Sequence, residues 1–208
     1  MNVQYSHIIK DCVCLYQTVT DMKKIGLLSD THAYWDDRYI KYFSECDEIW
    51  HAGDIGSMDV LKKLEAIKPV RAVYGNIDGH EIRIICPKHQ RFTIEGVDVW
   101  MTHIGGYPGK YATDVIPEIY RKPPKLFISG HSHILKVLYD KTLGLLHINP
   151  GAAGQYGFHK KRTLVRFCID NGEIEFFDLG KEPIERQIWR LWNWEISFRV
   201  FSSKSATI

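Results

Sequence analysis

An α/β fold is predicted for this chain, and three features of its sequence predict it. Between Ile25 and Tyr74, short apolar runs alternate with amphipathic segments in the order β-α-β-α-β. That order implies parallel strands joined by right-handed crossovers. The second half carries many short apolar runs separated by turn signals, and reads as mostly β and antiparallel. Five polar clusters stand just past the ends of predicted strands, where open α/β sheets bind ligands. The 208 residues suit one domain with at most an appendage, and 45% hydrophobic against 25% charged residues is the balance of a globular chain with a sizeable core.

The elements follow in order. Ile25–Leu28 is an apolar run that ends in Ser-Asp. Tyr39, Ile40 and Phe43 then fall at helical spacing within 36–46, behind a cap at Asp36. Glu48–His51 is a short strand. Ser57 caps a helix whose apolar face is Val60, Leu61, Leu64 and Ile67, and Pro69 ends it. Val70–Tyr74 is the next strand. Arg91–Ile94 and Val97–Thr102 flank Glu95-Gly96, a hairpin signal, and Gly109–Arg121 reads as helical despite Pro117. Leu126–Ser129, Leu135–Tyr139, Leu143–His147, Leu164–Ile169 and Ile174–Asp178 read as strands, the last two joined at Asn171-Gly172.

Both ends stand apart. Residues 1–21 read as an extension, or as the product of an upstream start site, because Met22-Lys23-Lys24 resembles a natural beginning of the first strand. Residues 181–208 are a Trp-rich extension. There, Trp192, Trp194, Ile196, Phe198 and Val200 alternate with polar residues, as in one more half-buried strand. That strand either covers a sheet edge or face, or forms the surface of a homo-oligomer.

Composition removes several function classes. A net charge of +2 offers little attraction to nucleic acid or to an anionic membrane. No apolar run approaches the ~18–20 residues of a membrane span. Residues 1–21 show no continuous apolar segment of a signal peptide, so the cytoplasm is the default expectation. Five scattered cysteines, with Cys12 and Cys14 as a lone C-x-C, make no disulfide framework and no zinc knuckle.

Histidine is the unusual residue, with ten copies. Several fall in the five clusters: Asp30-Thr31-His32, Gly53-Asp54, Gly75-Asn76-Ile77-Asp78, Thr102-His103 and Gly130-His131-Ser132-His133. Any one is a weak signal, but five in this order, each behind an apolar strand, are hard to produce by chance. Asp, His and Asn supply oxygen and imidazole donors without thiolate, which suits Mn, Fe, Zn, Ni or Co. Seven side chains (Asp30, His32, Asp54, Asn76, His103, His131 and His133) are too many for one tetrahedral site. They are about right for two metals that share a carboxylate, an arrangement used in phosphoester hydrolysis.

The series D-x-H, GD, GN-x-D, TH and G-H-x-H resembles the calcineurin-like metallophosphoesterase superfamily. The short length and GN-x-D resemble its small YfcE-type phosphodiesterase branch. The likeness runs from about Lys24 to Gly180, and Asn149-Pro150-Gly151 resembles a further element of the family. It implies a four-layer α/β/β/α sandwich of two packed mixed β-sheets flanked by helices, spanning 22–180. It implies two divalent ions, Mn first. Asp30, His32 and His133 would hold one, Asn76, His103 and His131 the other, and Asp54 would bridge them. Catalysis would fall to a hydroxide activated between the ions, with Asp54 and Asn76 as the residues at the reacting centre. The substrate implied is a small organic or nucleotide-type phosphodiester.

Two positions depart from the family pattern. Ile77 stands where many members carry a proton-donating histidine, and Ile104 replaces the glycine of T-H-G. His80, four residues after Asn76, reads either as structural or as a substrate contact or substitute acid, and His51 either as structural or as a residue that orients a ligand from behind. Asp78 reads as a turn support; His7, His89, His147 and His159 read as structural or solvated. Two other functions fit the fold less well. A non-catalytic scaffold, like the retromer subunit of this fold, would have lost ligands, whereas all seven positions are filled here. A DNA nuclease would want capping domains and a basic groove.

Overall fold

A computed structural model describes residues 22–177, together with the backbone of 186–189 and 199–201. The first apolar run becomes β1 (Lys23–Leu28), followed by α1 (Arg38–Phe43), β2 (Glu48–His51), α2 (Met58–Glu65) and β3 (Val70–Ala72). β1 pairs parallel with β2, and β2 with β3, as the alternation of element types requires. Ser57 caps α2, its Oγ accepting from the Asp59 N–H at 3.1 Å. In α1 the N-cap position is Asp37 rather than the expected Asp36 and makes no side-chain capping bond; Asp36 Oδ1, one residue earlier, accepts from the Arg38 N–H at 3.0 Å.

The chain continues through α3 (His80–Ile85), β4 (His89–Ile94), β5 (Val97–Thr102), β6 (Gly106–Tyr107), β7 (Lys110–Tyr111), α4 (Ile116–Arg121), β8 (Leu126–Ile128), β9 (Leu135–Asp140) and β10 (Leu145–Pro150). It then enters β11 (Val165–Asp170), β12 (Glu173–Phe177), β13 (Arg186–Trp189) and β14 (Arg199–Phe201). One sheet has the order β14-β13-β12-β11-β1-β2-β3 and the other β4-β5-β8-β10-β9. Glu95-Gly96 and Asn171-Gly172 both adopt positive φ at each residue, the backbone a two-residue hairpin demands.

Alternation along the strands sorts side chains into layers. Ile25 and Leu27 of β1, Trp50 of β2, and Val99 and Met101 of β5 meet Leu126, Ile128, Leu146, Ile148 and Phe167 in a core between the sheets. On the other face of the first sheet, Leu28 and Ile49 pack with Tyr39 and Phe43 of α1, Val60, Leu61 and Leu64 of α2, and Ile82 of α3. On the far face of the second sheet, Trp100, Phe127 and Leu145 bury Ile119 of α4. The result is the four-layer α/β/β/α sandwich of two mixed sheets.

Three sequence expectations change. The helix expected over Gly109–Arg121 is shorter, because Gly106 and Gly109 take positive φ and turn the chain through the β6–β7 hairpin first. α3 was not expected; six residues are too few to show a period. The second half is not wholly antiparallel, since β5–β8 and β8–β10 pair parallel. The β5–β8 connection carries α4, which makes it a crossover rather than a hairpin. The strand expected over 192–200 lies outside the described residues, apart from Arg199 and Val200 in β14. Residues 1–21 lie outside them entirely. Among the described residues no helix is long and apolar enough to cross a membrane.

Candidate metal centre

The loops after β1, β2, β3, β5 and β8 carry the five polar clusters, and backbone hydrogen bonds stitch them together. The Asp30 N–H donates to Gly53 O at 2.9 Å, His32 N–H to Asp54 O at 3.0 Å, and Gly130 N–H to His103 O at 2.9 Å. The two sheets thus contribute to one place. Five of the eight non-glycine residues with positive φ among those described are Asp30, His32, Asp54, His131 and His133. Left-handed backbone at such residues costs on the order of 1 kcal/mol each and concentrates where a structure needs a special side-chain direction.

Two groups of potential ligand atoms result: Asp30, His32 and His133, and Asp54, His103 and His131, each with donor atoms within 4.8 Å of one another. Asp30 Oδ1 lies 3.1 Å from His133 Nε2. His32 Nε2 lies 3.3 Å from His133 Nε2. Asp54 Oδ2 lies 3.2 Å from His103 Nε2 and 3.7 Å from His32 Nε2, so it faces both groups. His103 donates from Nδ1 to Ala52 O at 2.8 Å, which turns the lone pair of Nε2 toward the carboxylates. Asp30 Oδ1 and His103 Nε2 are buried and make no hydrogen bond. Six other buried side-chain atoms among the described residues also lack a hydrogen bond, but these two stand together, 3.9 Å apart between the two groups, as a place for a further partner would require.

Electrostatics agree with that reading. Burial opposes the charged form of His103, but Asp54 and Asp30 outweigh it and hold its pKa above the ordinary imidazole value. His133 is likewise raised, chiefly by Asp30. Burial also works to raise Asp54, yet His103, the Ile77 N–H and His32 together pull it down. His32 is lowered by burial despite both carboxylates. The carboxylates draw positive charge toward the centre.

Beneath it lies a layer of fully partnered groups. The Gly53 N–H donates to His51 Nδ1 at 3.2 Å, so His51 Nε2 carries the proton and donates to Thr31 Oγ1 at 2.9 Å. That hydroxyl donates to Ile55 O at 3.0 Å. Asp78 accepts from Ile55 N–H at 3.2 Å, Gly56 N–H at 2.7 Å and Gly75 N–H at 2.8 Å, and so ties the loop after β2 to the loop after β3. These two loops touch so closely that a Cβ on Gly75 would lie 2.0 Å from Asp54 Oδ1. Asn149 Nδ2 donates to Gly130 O at 2.6 Å and to Ser132 Oγ at 3.1 Å, pinning the last cluster.

The profile of the calcineurin-like phosphoesterase superfamily domain matches residues 22–172. The chain belongs to this superfamily. A "Probable metallophosphoesterase" of Methanothermobacter thermautotrophicus is 33% identical over 135 residues, which are 62% of this chain and 76% of that protein. Vacuolar Protein Sorting 29 from Cryptosporidium parvum superposes with a TM-score of 0.61 at 15% identity, covering 88% of this chain and 99% of that one. A structure titled a novel archaeal phosphodiesterase gives 0.53 at 23% identity, covering 74% and 93%. At such identities these two structures speak for the fold.

Within this phosphoesterase domain, six of the seven ligands predicted from sequence fall in the two groups. Asn76 sits exposed on the loop after β3, where its carbonyl accepts from Arg83 Nη2 at 3.1 Å. The next residue, Ile77, donates its N–H to Asp54 Oδ1 at 3.1 Å. His80 opens α3 and is exposed. Sequence reasoning missed Arg83, which braces the Asn76 loop from α3. It also missed the segment after β10, where Tyr156 lies against His32 with ring centroids 5.0 Å apart and His159 against His133 at 5.3 Å. The signal there was an aromatic run between glycines, Gly154 to His159, directly after Asn149-Pro150-Gly151.

Proposed function

We propose that this phosphoester hydrolase is a phosphodiesterase with a two-metal centre, taking Mn²⁺ by preference and acting on a small organic or nucleotide-type phosphodiester. The observation that carries the reading is Asp54 Oδ2, which lies within 3.7 Å of His32 Nε2 in one group and 3.2 Å of His103 Nε2 in the other. A carboxylate serving two ions needs that placement. The residues fit such ions: the donors are oxygen and imidazole nitrogen, and Asp30 Oδ1 and His103 Nε2 are buried without a hydrogen bond. Asp30, His32 and His133 would hold one ion and Asn76, His103 and His131 the other, with Asp54 between. When bound, paired cations lower the pKa of water and neutralise charge on phosphoryl oxygens.

The chain's own contribution is position. Ala52 O and the Ile77 N–H fix the directions of His103 and Asp54. The two hydrogen bonds of His51 hold the loops on which Asp30 and Asp54 stand. Ile77 offers no side-chain proton, so the leaving oxygen departs without help from that position. The Methanothermobacter probable metallophosphoesterase and the archaeal phosphodiesterase are in keeping with this chemistry.

Elemental analysis of purified protein, with a screen of phosphomonoesters and phosphodiesters, tests the reading. Chelation should abolish turnover and Mn²⁺ should restore it. Undiminished turnover in metal-free protein would refute it.

A further inference from the structure

The segment between β10 and β11 is clamped at both ends and free at its tip. The Ala153 N–H donates to Ser29 O at 2.9 Å and the Gly154 N–H to Asp30 O at 3.0 Å. Tyr39 Oη donates to Ala153 O at 2.8 Å, and Arg162 pairs with Asp36 at 2.6 Å. Between these clamps, Tyr156 is 72% exposed and Phe158 wholly exposed. Neither ring is buried, yet both belong to a segment in contact with the centre. The Tyr156 ring lies over His32, and Gly157 approaches His133 so closely that a Cβ there would stand 2.2 Å from its Nδ1.

Exposed polar residues around the centre, Asn76, His131 and Ser132, are interleaved with exposed apolar ones. Ile77, Ile104 and Ile134 are exposed, and each directly follows a predicted ligand, Asn76, His103 and His133. Consecutive Cα atoms are about 3.8 Å apart, so the backbone of each isoleucine lies next to a predicted ligand's. Of these five positions only Tyr156 carries a side-chain hydrogen-bonding group. Such a collar cannot satisfy a polar ester group, but it can cover a flat apolar one, and rigid aromatic side chains give contact area at low entropic cost.

Building on the phosphodiesterase reading, we propose that Tyr156 and Phe158 are specificity-determining residues that stack on a planar aromatic ester group of the substrate, with Ile77, Ile104 and Ile134 completing an apolar collar. The aromatic group is an aryl ring or a nucleobase, which present the same flat face. Titration calorimetry of metal-loaded protein with methylphosphonate, phenylphosphonate and adenosine 5′-monophosphate tests this without turnover. One of the ring compounds should bind at least about tenfold more tightly than methylphosphonate, roughly 1.4 kcal/mol. A preference for phenylphosphonate assigns an aryl group, and one for the nucleotide a nucleobase. Tyr156→Ala should bring the ring-to-methyl ratio toward one, Phe158→Ala should lower it in part, and Tyr156→Phe should retain it, with metal content measured in each variant. A ratio near one in the wild type, or a ratio that Tyr156→Ala and Phe158→Ala leave intact, overturns the proposal. If all three compounds fail to bind, the phosphoester reading itself falls, and this one with it.

Discussion

His51, three residues before Asp54, and His103, 3.2 Å from its carboxylate, are both buried imidazoles, and they belong to different regions. His51 lies in the supporting layer, has a partner on each nitrogen, and is pushed by burial down to a pKa of about 4. His103 lies in the centre, spends one nitrogen on Ala52 O and leaves the other without a hydrogen bond; its pKa is raised. Burial therefore does not distinguish function from support in this protein. What distinguishes them is whether the polar atoms are already satisfied. A complete network rigidifies, whereas an incomplete one beside two carboxylates waits for a cation.

Emptying the incomplete region should have the largest effect. Asp54→Asn should lower turnover by at least about 10³-fold, roughly 4 kcal/mol, and reduce the content of both metals. His133→Ala should deplete mainly one ion and His103→Ala mainly the other. Metal stoichiometry by elemental analysis reads this directly; equal loss of both ions in the two histidine variants contradicts the assignment.

Buried imidazoles outside the centre should show themselves in acid. A second buried imidazole, His147, lies outside both ligand groups: it donates from Nε2 to Ser129 Oγ at 2.9 Å, leaves Nδ1 without a hydrogen bond, and has its pKa lowered by burial from 6.5 to about 4. Its folded form stays neutral where the unfolded chain would bind a proton. Its contribution is therefore present above pH 6.5 and is lost as pH falls toward about 4, up to roughly 3 kcal/mol in all. His147→Gln keeps a donor toward Ser129 and removes the titration. Urea midpoints measured across that window should fall less steeply in the variant, and parallel curves would contradict the argument.

Asp78→Asn probes the link between the regions. It leaves an N–H group facing backbone N–H groups, so it should cost about 2 kcal/mol and weaken metal binding by roughly ten- to a hundredfold, although Asp78 is in neither group. Chemical denaturation and metal titration check the two effects separately. The smallest effect concerns the missing acid. Ile77→His should speed alkoxide leaving groups more than phenolates, by about tenfold at least if its ring donates a proton. A leaving-group series steep in the wild type supports the absence of an acid; a flat series that steepens in His80→Ala would assign the acid to His80.

The incomplete region was largely legible in the sequence, because each ligand cluster follows an apolar run and strand ends are where α/β folds keep their chemistry. The supporting layer was much less so. Asp78 bonds to Ile55 and Gly56, more than twenty positions away, and nothing local marks that pairing. Arg83 stands on α3, a helix too short to announce itself. Pairing direction in the second sheet also escaped, since a strand's pattern shows which face is buried but not which way its neighbour runs. Tyr156 and His159 reach the centre only because the end of β10 lies beside β8 and returns the chain over it.

The left-handed backbone of Asp30, His32, Asp54, His131 and His133 sets terms for anyone rebuilding this centre around another metal. At those five positions glycine is free of the strain and asparagine, aspartate and histidine bear it best, whereas β-branched or bulky replacements add a larger conformational penalty before coordination is considered. The accessible alphabet is thus narrow: oxygen and imidazole donors pass easily, while changes of size do not. The same holds for the neighbouring Ala33, Gly53 and Gly157, also of positive φ, so a shift in metal preference is more readily reached from facing positions of ordinary backbone, such as Tyr156, than from the ligands themselves.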